Sequence, residues 1–105
     1  MWLLSLGAKV SGVALDPPSR PSHFEAAKLS KSIEDHRLDV RDTNAMKRLV
    51  SKTQPDFVFH LAAQSLVRQS YLNPVRTYKT NVLGSLNLLE ALRLLEKPCN
   101  AVLIT

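Results

Sequence analysis

Short apolar runs alternate with amphipathic segments along this chain, and the alternation predicts strands and helices in turn. The apolar runs are residues 9–15, 56–61 and 101–105, and the second of them has no polar alternation. Such a run is typical of a parallel strand that is covered on both faces. A weaker strand is predicted to end near Leu38, where charged neighbours favour a position at the edge of a sheet.

Helix start and end signals place one helix before the first strand and a second helix between the strand near Leu38 and the one at residues 56–61. The chain is expected to begin inside a helix that ends at Gly7, because glycine adopts the left-handed conformation of a helix C-terminus at low cost. Either Asp42 or Thr43 can cap a second helix, which runs to about Lys52. The apolar residues of this second helix recur at spacings of three and four and predict its buried stripe: Met46, Leu49 and Val50.

A third helix, the longest, is predicted to open at Asn73–Pro74, since proline is tolerated in a first turn where its missing N–H has no partner. It runs to about Leu95, and residues 24–29 add a helical turn earlier in the chain. One side of the third helix is held by apolar residues: Tyr78, Val82, Leu86, Leu89 and Leu92. The order of helices and strands predicts a doubly wound α/β fold with a parallel sheet.

Composition and charge narrow the class of protein. The 105 residues carry a net charge of +5, are 45% hydrophobic and 22% charged, and include six prolines and three glycines. This is a globular composition of one small domain at most. Lysine and arginine are dispersed rather than clustered, so surface charge is favoured over nucleic-acid binding.

Cysteine content and hydropathy bear on location. The single cysteine, Cys99, excludes an internal disulfide and a structural zinc site built of several thiolates, and a reducing cytoplasm is the expected location. No apolar run reaches the roughly 18 residues of a membrane span. The first residues lack the pattern of a targeting signal, so no membrane partner is expected.

In a doubly wound sheet, ligands bind beyond the carboxyl ends of the strands, so the residues that follow each strand are the candidate site. Asp16 follows the first predicted strand, where a carboxylate can accept both hydroxyl protons of an adenosine ribose and repel a 2′-phosphate. This position favours NAD over NADP. The alternative role for Asp16 is that of an ordinary turn residue before prolines.

Two further segments follow predicted strands. Asp39 could accept a hydrogen bond from an adenine amino group while the Val40 amide donates to the ring, or the segment is a plain helix cap. Ala62 and Ala63 are small enough for a flat cofactor to approach the backbone closely, or they belong to an ordinary turn. His60 lies within an apolar strand and is interpreted as a hydrogen-bonded core residue without a catalytic role.

Taken together, these segments resemble the extended short-chain dehydrogenase/reductase family, and within it the nucleotide-sugar 4,6-dehydratases. The motifs that carry the resemblance are, in order, Leu15-Asp16-Pro17-Pro18, Asp39-Val40-Arg41-Asp42, His60-Leu61-Ala62-Ala63-Gln64 and Thr80-Asn81-Val82-Leu83-Gly84. The branch that acts on CDP-glucose is similar in residues 63–71, where other branches typically place a histidine at the position of Leu66. The resemblance covers essentially the whole chain.

On the cofactor side, the resemblance implies an NAD-binding fold of the Rossmann type. Asp16 would hold the adenosine ribose, and Asp39 and Val40 would hold the adenine. The residues implied to contact the middle and the nicotinamide side of NAD are Leu61, Ala62, Ala63 and Thr80.

On the substrate side, the resemblance implies CDP-glucose as the substrate and a homo-oligomeric enzyme. Ser65 and Arg68 would face the nucleotide sugar, and Asn81 matches an asparagine that helps to maintain a water chain to the active site. The implied reaction oxidises the sugar at C4, eliminates water across C5 and C6, and reduces C6, with NAD regenerated. It requires a tyrosine whose pKa is lowered by a nearby lysine, and an acid/base set for the elimination.

That catalytic set is not found in these residues, because Tyr71 is followed four residues on by Val75, and Tyr78 by Val82. The family's first strand, with its glycine-rich phosphate loop, is expected to precede Met1, and the substrate domain to be absent. In a sheet of order 3-2-1-4-5, that strand would lie between those at residues 9–15 and 56–61. Residues 1–105 are therefore expected to be part of an NAD-binding domain, inactive and unstable or aggregation-prone alone.

Two alternatives stay open on the sequence. Another extended family member, such as a GDP-mannose 4,6-dehydratase or a sugar-nucleotide epimerase, would share the same cofactor half. A non-catalytic protein that keeps only the fold would carry the same motifs without the chemistry.

Overall fold

Two parallel strand pairs organise the chain, one in each of its two units, Met1–Asp39 and Val40–Thr105. The computed structural model describes residues 1–104. The strands and helices alternate as the sequence predicts, and both strand pairs are parallel. The predicted α/β class is therefore confirmed.

In the first unit, strand β1 pairs in parallel with strand β2, in a register that joins Ser11 to Glu34 and Ala14 to Arg37. Gly7 has a φ of +82°, as its predicted role as a helix terminator requires. Among the described residues β2 pairs with β1 alone. The elements are α1 Trp2–Ser5, β1 Ser11–Ala14, α2 His23–Ala26, a 3-10 turn Leu29–Lys31 and β2 Glu34–Arg37.

In the second unit, strand β3 pairs in parallel with β4, in a register that joins Phe57 to Asn100 and His60 to Leu103. The predicted last strand extends to Thr105, which lies outside the described residues. The elements are α3 Thr43–Thr53, β3 Phe57–His60, α4 Val67–Leu72, α5 Pro74–Tyr78, a π-helical segment Lys79–Leu83, α6 Gly84–Arg93 and β4 Asn100–Leu103.

Side-chain caps explain where the helices of this unit begin. The Asp42 carboxylate accepts a hydrogen bond from the backbone N–H of Ala45 at 2.9 Å, so Asp42 rather than Thr43 is the cap of α3. Asn73 caps α5 in the same way through the N–H of Arg76 at 3.0 Å, and Pro74 opens the helix as predicted. Helix α4 begins without a side-chain cap, so no start signal for this helix is present in the sequence.

The core of the second unit lies between α3 and α6. Met46 and Val50 of α3 are 4% and 5% exposed, and Leu88 and Ala91 of α6 are 4% and 3% exposed. Leu49 is half-buried, so the predicted stripe of α3 holds. All the buried apolar residues in the described part of the chain lie on α3 or α6. Since buried apolar surface contributes roughly 25 cal/mol per Å², this contact is the main apolar stabilisation of the unit.

The apolar side predicted for the third helix is not the buried one. Four of its five residues are exposed: Tyr78, Val82, Leu86 and Leu89. The face that α3 covers contains instead Gly84, Asn87, Leu88 and Ala91, at spacings of three and four. Apolar periodicity alone did not identify this face because α6 carries leucines on more than one side.

Strand β3 differs from its prediction in a similar way. His60 is buried, but Phe57 and Phe59 are 65% and 48% exposed, so one face of the strand is open within the described residues.

No helix among residues 1–104 combines the length and the hydropathy that crossing a membrane requires.

Candidate functional site

An open pocket of about 380 Å³ lies beyond the carboxyl end of β1, in the first unit. Its walls are the end of β1, the proline-rich loop that follows, the start of α2 and the side chain of Arg37. Ser22 and Glu25 fix the start of α2 by a capping box, with the Glu25 N–H donating to Ser22 Oγ at 3.2 Å. The pocket is thus formed where the sequence placed its first candidate site.

Asp16 lines this pocket and is exposed. Its carboxylate makes no hydrogen bond or ion pair with any described residue. A structural turn residue of this type normally binds its own backbone through the side chain. The geometry therefore leaves the carboxylate oxygens available to a ligand with hydroxyl donors.

Sequence reasoning missed Arg37, which also lines the pocket. Its Nη1 donates to the carbonyl of Leu15 at 2.7 Å, and its guanidinium carbon lies 4.5 Å from the ring centre of Phe24. Its Nε and Nη2 lie 2.9 Å and 2.8 Å from Asp35 Oδ2. The signal that could have identified Arg37 is its position at the end of β2, where it lies opposite Ala14, the last residue of β1.

Val40 begins the second unit, and two contacts from α6 fix it there. The Asn87 side-chain amide donates to the Val40 carbonyl at 3.0 Å and accepts a hydrogen bond from the Thr43 hydroxyl at 2.9 Å. A Cβ added at Gly84 would lie 2.7 Å from Val40 Cγ2, so a glycine is needed for this close approach. Asp39, the residue before Val40, closes the first unit and follows β2.

The loop after β3 is held by Asn81, from the π-helical segment. Asn81 Oδ1 accepts from the backbone N–H of Gln64 at 2.7 Å, and Asn81 Nδ2 donates to the Gln64 carbonyl at 3.1 Å. The Gln64 side chain in turn bonds the backbone N–H of Leu66 at 2.8 Å and Thr77 Oγ1 at 3.3 Å. π-Helical turns are rare and occur frequently at functional sites.

The other residues of the sequence-predicted site in this unit lie on or next to that loop. Leu61 is 69% exposed, and Ala63, Ser65 and Arg68 are exposed as well. Ala62 is half-buried in the loop, and Thr80 is half-buried in the π-helical segment beside Asn81. The structure thus brings the small residues of the loop and the π-helical segment together through the Asn81–Gln64 contact.

His60 is a buried, hydrogen-bonded histidine, as the sequence predicted. Ser85 Oγ donates to the Asn81 carbonyl at 2.8 Å, so its oxygen accepts the hydrogen of His60 Nε2 at 2.9 Å. Burial lowers the pKa of His60 below its usual 6.5, which keeps the imidazole neutral at neutral pH.

Within residues 1–104, no group of three His, Cys, Asp or Glu side chains is placed to hold a metal ion.

Known proteins are similar to this chain in sequence and in fold. The chain is 45% identical over 93 residues to CDP-glucose 4,6-dehydratase of Salmonella typhimurium, covering 89% of the chain and 26% of that protein. It is 33% identical over 103 residues to GDP-mannose 4,6-dehydratase of Yersinia enterocolitica, covering 89% of the chain and 27% of that protein.

Among solved structures, UDP-glucose 4-epimerase of Thermus thermophilus in complex with NAD superposes with a TM-score of 0.73 at 33% identity. The match covers 87% of this chain and 28% of that one. The chain thus spans about a quarter of the length of these relatives. The parallel strand pairs described above belong to a Rossmann-type fold.

The family described as GDP-mannose 4,6 dehydratase matches residues 2–104. Since this is nearly the full length of the chain, and the relatives that share the fold are nucleotide-sugar dehydratases and epimerases, the chain belongs to the GDP-mannose 4,6-dehydratase family, within the extended short-chain dehydrogenases/reductases.

Proposed function

We propose that residues 1–105 are part of the NAD-binding domain of a nucleotide-sugar 4,6-dehydratase whose substrate is CDP-glucose. Family membership carries the assignment to dehydration. The 45% identity to a CDP-glucose 4,6-dehydratase over 89% of the chain supports the choice of sugar nucleotide. The enzyme as a whole is a lyase that forms a 4-keto-6-deoxy sugar nucleotide.

The residues of the first unit fit the adenosine half of NAD. The pocket beyond β1 holds an unpartnered carboxylate, Asp16, which would accept hydrogen bonds from the two ribose hydroxyls. A free carboxylate at this position disfavours a 2′-phosphate by charge repulsion, and NADP with it. Asp39, the last residue of this unit, and Val40, the first residue of the second unit, would contact the adenine.

The residues of the second unit fit the remainder of the cofactor. Leu61, Ala62 and Ala63 present small or exposed side chains along the loop that Asn81 fixes, so a flat ring would be able to approach the backbone. Thr80 lies beside Asn81 and would contact the nicotinamide side. Ser65 and Arg68 are exposed in and after the loop and would contact the nucleotide sugar.

The role of these residues in the reaction is binding and positioning. NAD, when bound, supplies the oxidation of the sugar at C4 and the later reduction at C6. Asp16 would bind the adenosine ribose of NAD. The Asn81 clamp, which consists of the two hydrogen bonds between the Asn81 side chain and the Gln64 backbone, holds the loop after β3 in place as the substrate enters. The acid/base groups of the elimination would come from parts of the enzyme outside residues 1–105, which contain no Tyr-x-x-x-Lys.

An assay of the protein expressed from the complete reading frame tests the proposal. The protein is incubated with NAD and, separately, CDP-glucose, GDP-mannose and UDP-glucose, and the products are followed by NMR. We expect CDP-glucose to lose its C6 hydroxyl and gain a C6 methyl group, with a kcat/KM at least about tenfold above that for the other two sugars. Dehydration of GDP-mannose alone would contradict the choice of sugar nucleotide.

Epimerisation is the second candidate, because the chain superposes on a UDP-glucose 4-epimerase with a TM-score of 0.73. The same NMR assay separates the two activities, since an epimerase inverts C4 and keeps the C6 hydroxyl.

A cytoplasmic location and a homo-oligomeric enzyme stay predictions, which fractionation and light scattering of the full-length protein would test.

A further inference from the structure

Asp35 and Arg37 form an ion pair on one face of β2, two residues apart. One carboxylate oxygen, Asp35 Oδ2, accepts from Arg37 Nε at 2.9 Å and lies 2.8 Å from Nη2. The two side chains are 22% and 29% exposed, respectively, so solvent screens the pair only in part. The guanidinium is therefore held in a fixed orientation at the pocket wall.

The third nitrogen of the guanidinium, Nη1, adds a hydrogen bond between β2 and β1 beyond their backbone pairing. Backbone pairing ends where the Leu38 N–H donates to the Ala14 carbonyl at 3.1 Å. Arg37 Nη1 donates to the next carbonyl, that of Leu15, at 2.7 Å. Leu15 directly precedes Asp16, so Arg37 fixes the backbone from which the free carboxylate projects.

Every nitrogen of Arg37 is thus engaged, and its plane also lies over Phe24, at 4.5 Å from the ring centre. A guanidinium in such a pocket has another possible partner, the 2′-phosphate of NADP, to which arginine binds well. Asp35 neutralises its charge and directs Nη1 at Leu15 instead. The pocket therefore contains a phosphate-binding group that is kept from acting as one.

We propose that the Asp35–Arg37 pair determines dinucleotide specificity: Asp35 holds Arg37 as a positioning residue for Asp16, which selects a cofactor with a free 2′-hydroxyl. The inference rests on the proposed function and adds a specificity determinant to it. Release of Arg37 from Asp35 opens the pocket to a 2′-phosphate.

Binding of NAD and NADP to the protein from the complete reading frame, measured by calorimetry, tests this. In Asp35→Asn, we expect the ratio of the NADP Kd to the NAD Kd to fall about tenfold or more, because an unpaired guanidinium can bind the 2′-phosphate. The double variant Asp35→Asn, Arg37→Gln should lose that gain. A purely structural role would weaken both dinucleotides in parallel and leave the ratio unchanged.

Glu34→Gln is the matched control. Glu34 lies on the same strand, but its carboxylate pairs with Lys9 at 2.8 Å and with the Ser11 hydroxyl, and it is not part of the pocket wall. The substitution removes the same charge from β2 and should change the ratio less than about twofold. An equal response in Glu34→Gln and Asp35→Asn would overturn the proposal.

Asp35→Thr provides a second route if Asp35→Asn folds poorly, since threonine removes the same charge and favours an edge strand. Unchanged ratios in folded Asp35 variants, with NAD binding intact in the wild type, would refute the specificity role alone. A wild-type protein that binds neither dinucleotide would refute the proposed function, and this inference with it.

Discussion

Three aspartates of this chain illustrate how the same side chain takes different roles. Asp16 has a free carboxylate in a pocket, Asp35 is paired with Arg37, and Asp42 caps α3 through the N–H of Ala45. The sequence identified Asp16 and Asp42 as candidates, because each stands at the end or the start of a predicted element. Asp35 lies within β2, where strand geometry places it on the same face as Arg37, two residues further along.

The role of Asp16 can be tested by Asp16→Asn in the protein from the complete reading frame. The amide keeps the size of the side chain but loses the negative charge that strengthens bonds to the ribose hydroxyls. We expect the NAD Kd to rise about tenfold or more, measured by calorimetry. Asp56→Asn, which removes an exposed carboxylate paired with Lys97 in the other unit, should leave the Kd within about twofold. Equal effects would show that Asp16 does not contact the cofactor.

At the scale of elements, the structure differs most from the sequence prediction in the long third helix. It begins at Pro74 as expected, but a π-helical segment, Lys79–Leu83, separates α5 from α6. This segment places the Asn81 side chain against the backbone of Gln64. The side-chain amide of Asn81 accepts a hydrogen bond from the Gln64 N–H and donates one to the Gln64 carbonyl. A loop without secondary structure is thus anchored through one side chain.

Asn81→Ala should therefore destabilise the protein from the complete reading frame. Both backbone groups of Gln64 would lose their partner, and we expect the free energy of unfolding to fall by about 1–3 kcal/mol, measured by urea denaturation. Asn44→Ala is the control, since Asn44 is exposed on α3 and should cost less than about 0.5 kcal/mol. If the two variants unfold alike, the loop does not depend on the Asn81 clamp.

At the scale of the whole molecule, residues 1–104 form a two-stranded sheet in each unit, and large apolar side chains are exposed. Phe57 is 65% exposed, Tyr78 is 70% exposed and Leu61 is 69% exposed. Two-stranded sheets are marginally stable in water unless further strands or helices cover them. Exposed apolar patches of this kind mark either an interaction surface or a tendency to aggregate.

We therefore predict that the isolated 105-residue chain is unstable or aggregation-prone, and inactive. Thermal unfolding followed by circular dichroism should show a broad transition or none, and a hydrophobic dye should bind strongly at low temperature. The protein from the complete reading frame is the reference for both measurements. One sharp transition from a purified monomer of 105 residues, with micromolar affinity for NAD, would contradict the prediction.

The sequence by itself determined the α/β class, the alternation of strands and helices, the helix end at Gly7 and the helix start at Asn73–Pro74, because these depend on local backbone preferences and on apolar spacing. It narrowed the cap of α3 to Asp42 or Thr43. Tertiary structure decided which face of α6 is buried, since α3 packs on one of several apolar sides. It also decided that Arg37 reaches the Leu15 carbonyl and that Asn81 reaches the Gln64 backbone, because these contacts join residues that are 22 and 17 positions apart. Long-range contacts of this kind leave no periodic signal in the chain.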